Sequence, residues 1–174
     1  VSIPRDASPM HALRTLCSAL APEDLAADDH STAVNERKSI VMLSKMPAFS
    51  AGLDCHRKGL DAVDPVPDIC LPENFLYMLN GEKPEPEIEK IFDICLILHA
   101  DHTLNASTFA ARQVASTRAH MYSAASAAVG ALSGELHGGA NYEVMRMLLD
   151  IKTEENVESY IKGKFAKNER IMGM

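Results

Sequence analysis

The stretch from Leu98 to Leu149, LHADHTLNASTFAARQVASTRAHMYSAASAAVGALSGELHGGANYEVMRMLL, decides how this chain is read. It places His99, Asp101 and His102 at the end of one apolar segment, and His137, framed by Gly134, Gly138 and Gly139, just ahead of another. Between them runs a segment rich in Ala, Ser and Thr, with six alanines from Ala119 to Ala131. Side chains this small let helix axes approach closely but bury little area each, so such a helix is expected to sit between others, with a subunit contact as one setting. A histidine in a Gly-Gly turn lets a ligand approach the backbone. Asn141 is placed to cap the helix that follows, whose first N–H groups suit an anion.

Outward from this stretch the apolar spacing is helical everywhere. Ser8-Pro9 opens a helix with cap and first-turn proline, and Met10, Leu13, Leu16, Cys17 and Leu20 form one stripe before Pro22. A second helix begins at Thr32, carries Val34, Ile40, Val41, Leu43 and Met46 to Pro47, where a kink is expected, and resumes through Phe49 and Leu53 towards Gly59. Asp61 to Asn74 contains three prolines and no helical period, so it reads as an extended surface connection, with the next helix beginning near Pro72. Asn80-Gly81 closes a short helix, and Ile88, Ile91, Phe92, Cys95, Leu96 and His99 share one face of the next. Val144, Met147, Leu148 and Ile151 give another amphipathic helix, followed by the more charged EENVESYIKGKFA. No strand alternation of useful length appears, so the fold class is all-α.

Composition narrows the partners. The 174 residues, 47% of them hydrophobic, suffice for one sizeable packed domain, and a net charge of −7 argues against a nucleic-acid partner. No apolar run approaches bilayer length, and the N-terminus VSIPRDASP lacks a signal-peptide layout. Cys17, Cys55, Cys70 and Cys95 form no CxxC pair and read as free, mostly buried thiols, which fits a reducing cytoplasm. Because Val1 is not methionine, the native start, with any targeting signal, is expected to lie outside this sequence.

HADHTLNAS (His99 to Ser107), GELHGGAN (Gly134 to Asn141) and VMRML (Val144 to Leu148), together with SPMHALR, MPAFSAG and NFLYMLNG, resemble the citrate synthase family, 2-methylcitrate synthases included. The resemblance implies an all-α homodimer with a large domain and a small CoA-binding domain. Here residues 1–137 would supply large-domain helices, and 138–174 the hinge and the start of the small domain. It implies an acyltransferase of the tricarboxylic acid cycle that condenses acetyl-CoA, or another short acyl-CoA, with oxaloacetate and uses no cofactor beyond the acyl-CoA. His137 matches the family's catalytic histidine, the donor to the thioester oxygen. His102 matches a histidine that contacts the keto acid, and Asn105, Gly138 and Asn141 would line the substrate pocket. The sequence ends at KNERIMGM, where the family pattern runs on. The catalytic aspartate and substrate-binding arginines are therefore expected beyond Met174, and the isolated chain is expected to be inactive.

Other readings compete residue by residue. Asn105 and Ser107 would also serve as a cap cluster for the helix starting near Ala106, and His99 as a histidine bonding a helix-end carbonyl. His99, Asp101, His102 and His137 would make a metal-dependent hydrolase if they converged, but no HExxH-like spacing supports that. A helical dimerisation module without chemistry is the remaining alternative.

Overall fold

Helical periodicity becomes helix throughout. The computed structural model describes residues 2–171, and among them there is no strand. Val1, Met172, Gly173 and Met174, on which the expectations of a missing start and a continuation rest, lie outside the described residues. The elements are α1 (Pro9–Glu23), α2 (Thr32–Lys58), α3 (Leu71–Asn80), α4 (Pro86–His99), α5 (Ala106–Ala115), α6 (Met121–Leu132), α7 (Gly139–Ile151), a 3-10 turn (Glu154–Asn156) and α8 (Val157–Ala166).

Local chemistry sets most of the ends. Pro9 and Pro86 stand in the first turns of α1 and α4, and Glu87 and Glu89 place negative charge at the N-terminal end of α4. Gly59 terminates α2 at φ 74°, and its amide returns to the last turn. Pro47 does not divide α2, which runs as one helix of 27 residues. Buried Ala51, Leu53 and Cys55 anchor the half that follows it. The small-residue stretch, by contrast, is two helices. Arg118 takes φ 61° between them, and His120 Nδ1 accepts the Ser123 N–H at 3.1 Å, so this histidine caps the start of α6.

The chain divides into two compact units, residues 1–130 and 131–174, with the last two residues of α6 in the second. In the first, α1 packs on α2, α2 on α3 and α3 on α4. Cys17, Ala51, Cys55, Met78, Tyr122 and Ala124 lie in its core. A polar knot holds it together. Asp24 receives Arg37 Nη2 at 2.8 Å on both carboxylate oxygens and the Tyr122 hydroxyl at 2.7 Å. One residue further along α2, fully buried Lys38 donates to the carbonyls of Ala27 at 2.6 Å and Asp29 at 2.7 Å. Among the described residues of the second unit Ile151 is the buried apolar one, and Asn156 Nδ2 bonds its carbonyl at 2.9 Å.

Two expectations about burial change. Cys17 and Cys55 are buried free thiols, but Cys70 and Cys95 are exposed, the first ahead of α3 and the second on α4. The cause on α4 is that none of its residues is buried: Ile88, Ile91, Ile94, Ile97 and Leu98 all face outward, and Ile97 is 64% exposed. Phe92 is held by stacking on Phe75 at 5.1 Å between centroids. Beside that pair an apolar groove of about 920 Å³ opens between α2, α3 and α4, lined by Met42, Met46, Phe75, Phe92 and Leu96. No described helix is long and apolar enough to cross a membrane.

Candidate active site

The site residues expected from sequence fall in two segments, one in each compact unit. In the first unit α4 ends at His99, whose Nδ1 lies 2.6 Å from the Cys95 carbonyl oxygen. A histidine so engaged belongs to the helix end, as its position one turn after Cys95 allows. Asp101 Oδ1 accepts the Thr103 N–H at 2.7 Å, and Thr103 takes φ 53°, so the aspartate shapes the turn that leads into α5. Asn105 caps α5: its Oδ1 accepts the Thr108 N–H at 2.8 Å and the Ser107 hydroxyl at 2.7 Å. The cap occupies Oδ1 and leaves the amide nitrogen of Asn105 to act as a donor.

Between these anchored neighbours His102 is exposed, and its ring makes no hydrogen bond or ion pair with the described residues. The turn is held by hydrogen bonds on both sides, while both nitrogens of this imidazole are unengaged by the described residues. His99, Asp101 and His102 do not bring three ligand atoms within 4.8 Å of one another. Two of the three are already engaged with backbone.

In the second unit the Gly134 to Gly139 segment is a closed turn. His137 N–H bonds the Gly134 carbonyl at 3.0 Å, Gly139 N–H bonds the same carbonyl at 3.1 Å, and Gly138 N–H bonds the Leu132 carbonyl at 2.9 Å. His137 is partly buried on this turn. α7 begins at Gly139, earlier than Asn141 would require as a cap. Gly138 takes the cap position without a side-chain bond, and Asn141 sits exposed in the first turn of α7. One helical turn on, Arg146 pairs with Glu143 at 3.3 Å and lies 5.8 Å from the Tyr142 ring centroid.

The structure gathers a third polar group that the motifs do not mark. The ligand atoms of Cys70, Glu73 and Glu89 lie within 4.8 Å of one another. Their demands are met internally, since the Cys70 thiol bonds Glu89 Oε1 at 3.2 Å and Lys83 pairs with Glu73 at 2.8 Å. Sequence carried no signal for it, because Cys70 and Glu89 meet only through the packing of α3 on α4.

Comparison with known proteins covers the whole chain. Residues 1–174 match the family model described as citrate synthase, C-terminal domain. Citrate synthase 2 of Bacillus subtilis is 50% identical over 165 residues, which is 95% of this chain and 44% of that protein. The citrate/2-methylcitrate synthase of the same organism is 41% identical over 171 residues, 98% of this chain and 46% of that protein. Among solved structures, the ternary complex of carboxymethyl coenzyme A and oxaloacetate with citrate synthase from Thermoplasma acidophilum matches at a TM-score of 0.86 and 26% identity. That match covers 98% of this chain and 44% of the other. The chain thus spans less than half the length of the curated relatives it matches.

Proposed function

The chain belongs to the citrate synthase family, and we propose that the protein it represents joins the α-carbon of acetyl-CoA, or of another short acyl-CoA, to the keto carbon of oxaloacetate. The observation that carries this reading is the family match over residues 1–174, which takes in both histidine segments. A base removes a proton from the α-carbon, and negative charge develops on the thioester oxygen. A donor already in place at that oxygen lowers the barrier most, because it needs no reorganisation as the charge appears. His137 fills this role: three backbone hydrogen bonds fasten its turn, so its ring is delivered from a fixed main chain. The new carbon nucleophile attacks the keto carbonyl, and water then hydrolyses the thioester, releasing CoA and citrate or 2-methylcitrate.

His102 suits the keto acid, because its ring nitrogens are unoccupied and its flanking turn is pinned by Asp101 and Asn105. Asn105, Gly138 and Asn141 complete the proposed substrate contacts, Asn105 through its amide and Asn141 from the first turn of α7. The acyl-CoA acts as substrate, and no other cofactor enters. The base and the arginines that neutralise a dicarboxylate are assigned to the part of the relatives' length that this chain does not span.

In the same proposal the protein is a cytoplasmic homodimer. The outward apolar row of α4 supports the association, since a surface of that kind ordinarily marks a buried contact. Residues 1–137 are assigned to the large domain, and 138–174 to the hinge and the start of a small CoA-binding domain.

His137→Ala in a protein of the relatives' full length tests the mechanism. Turnover is expected to fall about 10²-fold or more, with oxaloacetate binding changed much less. Turnover close to that of the parent would remove His137 from the reaction. The 174-residue chain alone is expected to release no free thiol from acetyl-CoA in response to oxaloacetate. Release at about 1 s⁻¹ or faster would place a working base within these residues.

A further inference from the structure

The glycine after His137 answers to a neighbour in its own unit. Gly138 takes φ −63° and ψ −24°, a conformation open to every residue, so the backbone does not demand glycine there. Space does. A Cβ added at Gly138 would run into the carbonyl oxygen of Leu132 and stand 2.9 and 3.0 Å from its Cδ1 and Cγ. The same carbonyl holds the Gly138 N–H at 2.9 Å. Leu132 is the last residue of α6, where carbonyls lack intrahelical partners, and this one is satisfied by the turn that carries His137.

We propose that Leu132 is a positioning residue for His137. Its carbonyl bonds Gly138, and its side chain, though 37% exposed, lies beside the Gly138 Cα, so both resist movement of the turn relative to Leu132. Gly134 supplies the second fastening, accepting the amides of His137 and Gly139 on one carbonyl. The histidine's main chain is thereby tied on both sides, to Gly134 through its own amide and to Leu132 at the end of α6 through Gly138. The requirement for glycine at 138 is thus met by the approach of Leu132, where the sequence alone pointed to the approach of a ligand. The catalytic part of the inference rests on the proposed role of His137, but the mechanical part does not.

The experiment has two arms. In the 174-residue chain with isotope-labelled histidine, the His137 ring signals are assigned by their loss in His137→Gln. Leu132→Ala is expected to shift or broaden those signals and to speed exchange of the Gly138 amide by about tenfold or more. Leu132→Met should restore most of the parent behaviour. Leu136→Ala, at a neighbour that is 87% exposed, should leave it unchanged. Gly138→Ala, which adds the colliding Cβ, should disturb His137 more than Leu132→Ala does. In a full-length protein with condensation activity, Leu132→Ala is expected to lower kcat about tenfold while KM for oxaloacetate stays within about twofold.

Unchanged His137 signals and Gly138 exchange in both Leu132→Ala and Gly138→Ala would overturn the proposal. So would an unchanged kcat in an active parent. A parent without condensation activity whose His137 signals still respond to Leu132→Ala would refute the proposed function and leave Leu132 as the residue that positions this histidine.

Discussion

The Tyr122 hydroxyl donates a 2.7 Å hydrogen bond to Asp24 Oδ2, joining residues 98 positions apart in the chain. That bond, with the Arg37 guanidinium beside it, holds the Asp24 carboxyl down to about 2, while burial and the carboxylate push Tyr122 up to about 12. Because the Asp24 value is depressed on folding, its contribution to stability is fully present above its ordinary range near about 4 and is lost as pH falls towards about 2. Asp24→Asn is expected to lower stability at neutral pH and to flatten the pH dependence between these values. Urea midpoints measured from pH 2 to 7 check this, and parallel curves for parent and variant would contradict it. Tyr122→Phe, which removes one donor and little volume, should lower Tm by about 2 to 6 °C.

Lys38→Met tests the second half of the knot. It keeps an apolar stem in place and strands the carbonyls of Ala27 and Asp29, both of which now receive the Lys38 ammonium. The expected cost is about 1 to 3 kcal/mol in chemical denaturation, with faster amide exchange confined to residues 24–31. Parent stability in this variant would mean that water replaces the ammonium without penalty.

α6 separates two alanines by burial. Ala124 is 7% exposed in the first unit's core, whereas Ala128 is only partly buried. Ala124→Leu should overpack the contact and cost about 1 to 3 kcal/mol, and Ala128→Leu should cost clearly less. Equal Tm values for the parent and Ala124→Leu would show that the helix does not pack as described.

The row on α4 makes an oligomerisation prediction. Ile97 is 64% exposed, so Ile97→Asp should leave the fold of the chain intact. If the proposed homodimer uses this face, the substitution should weaken association about tenfold or more, read by sedimentation equilibrium. Unaltered association would move the dimer contact elsewhere.

Apolar spacing in the sequence determined the fold class, and proline, glycine and acidic first-turn residues determined where α1, α2, α3 and α4 begin or end, because these effects act within one helical turn. The two histidine motifs pointed to the family in the same way, since residues fixed by chemistry recur at fixed positions in the chain. The continuity of α2 past Pro47 was decided by a wider context, in which packing outweighs propensity, whereas the division of the small-residue stretch at Arg118 is accompanied by a local cap, His120 on the Ser123 amide. The outward face of α4 followed the same logic from the other side: periodicity identifies a stripe to be buried, and only the neighbours present determine whether it is. The bond from Tyr122 to Asp24, the burial of Lys38 and the fit of Leu132 against Gly138 were decided by tertiary structure alone. Each joins groups whose distance in space is set by how helices and turns come to rest on one another, and local sequence carries no record of that distance.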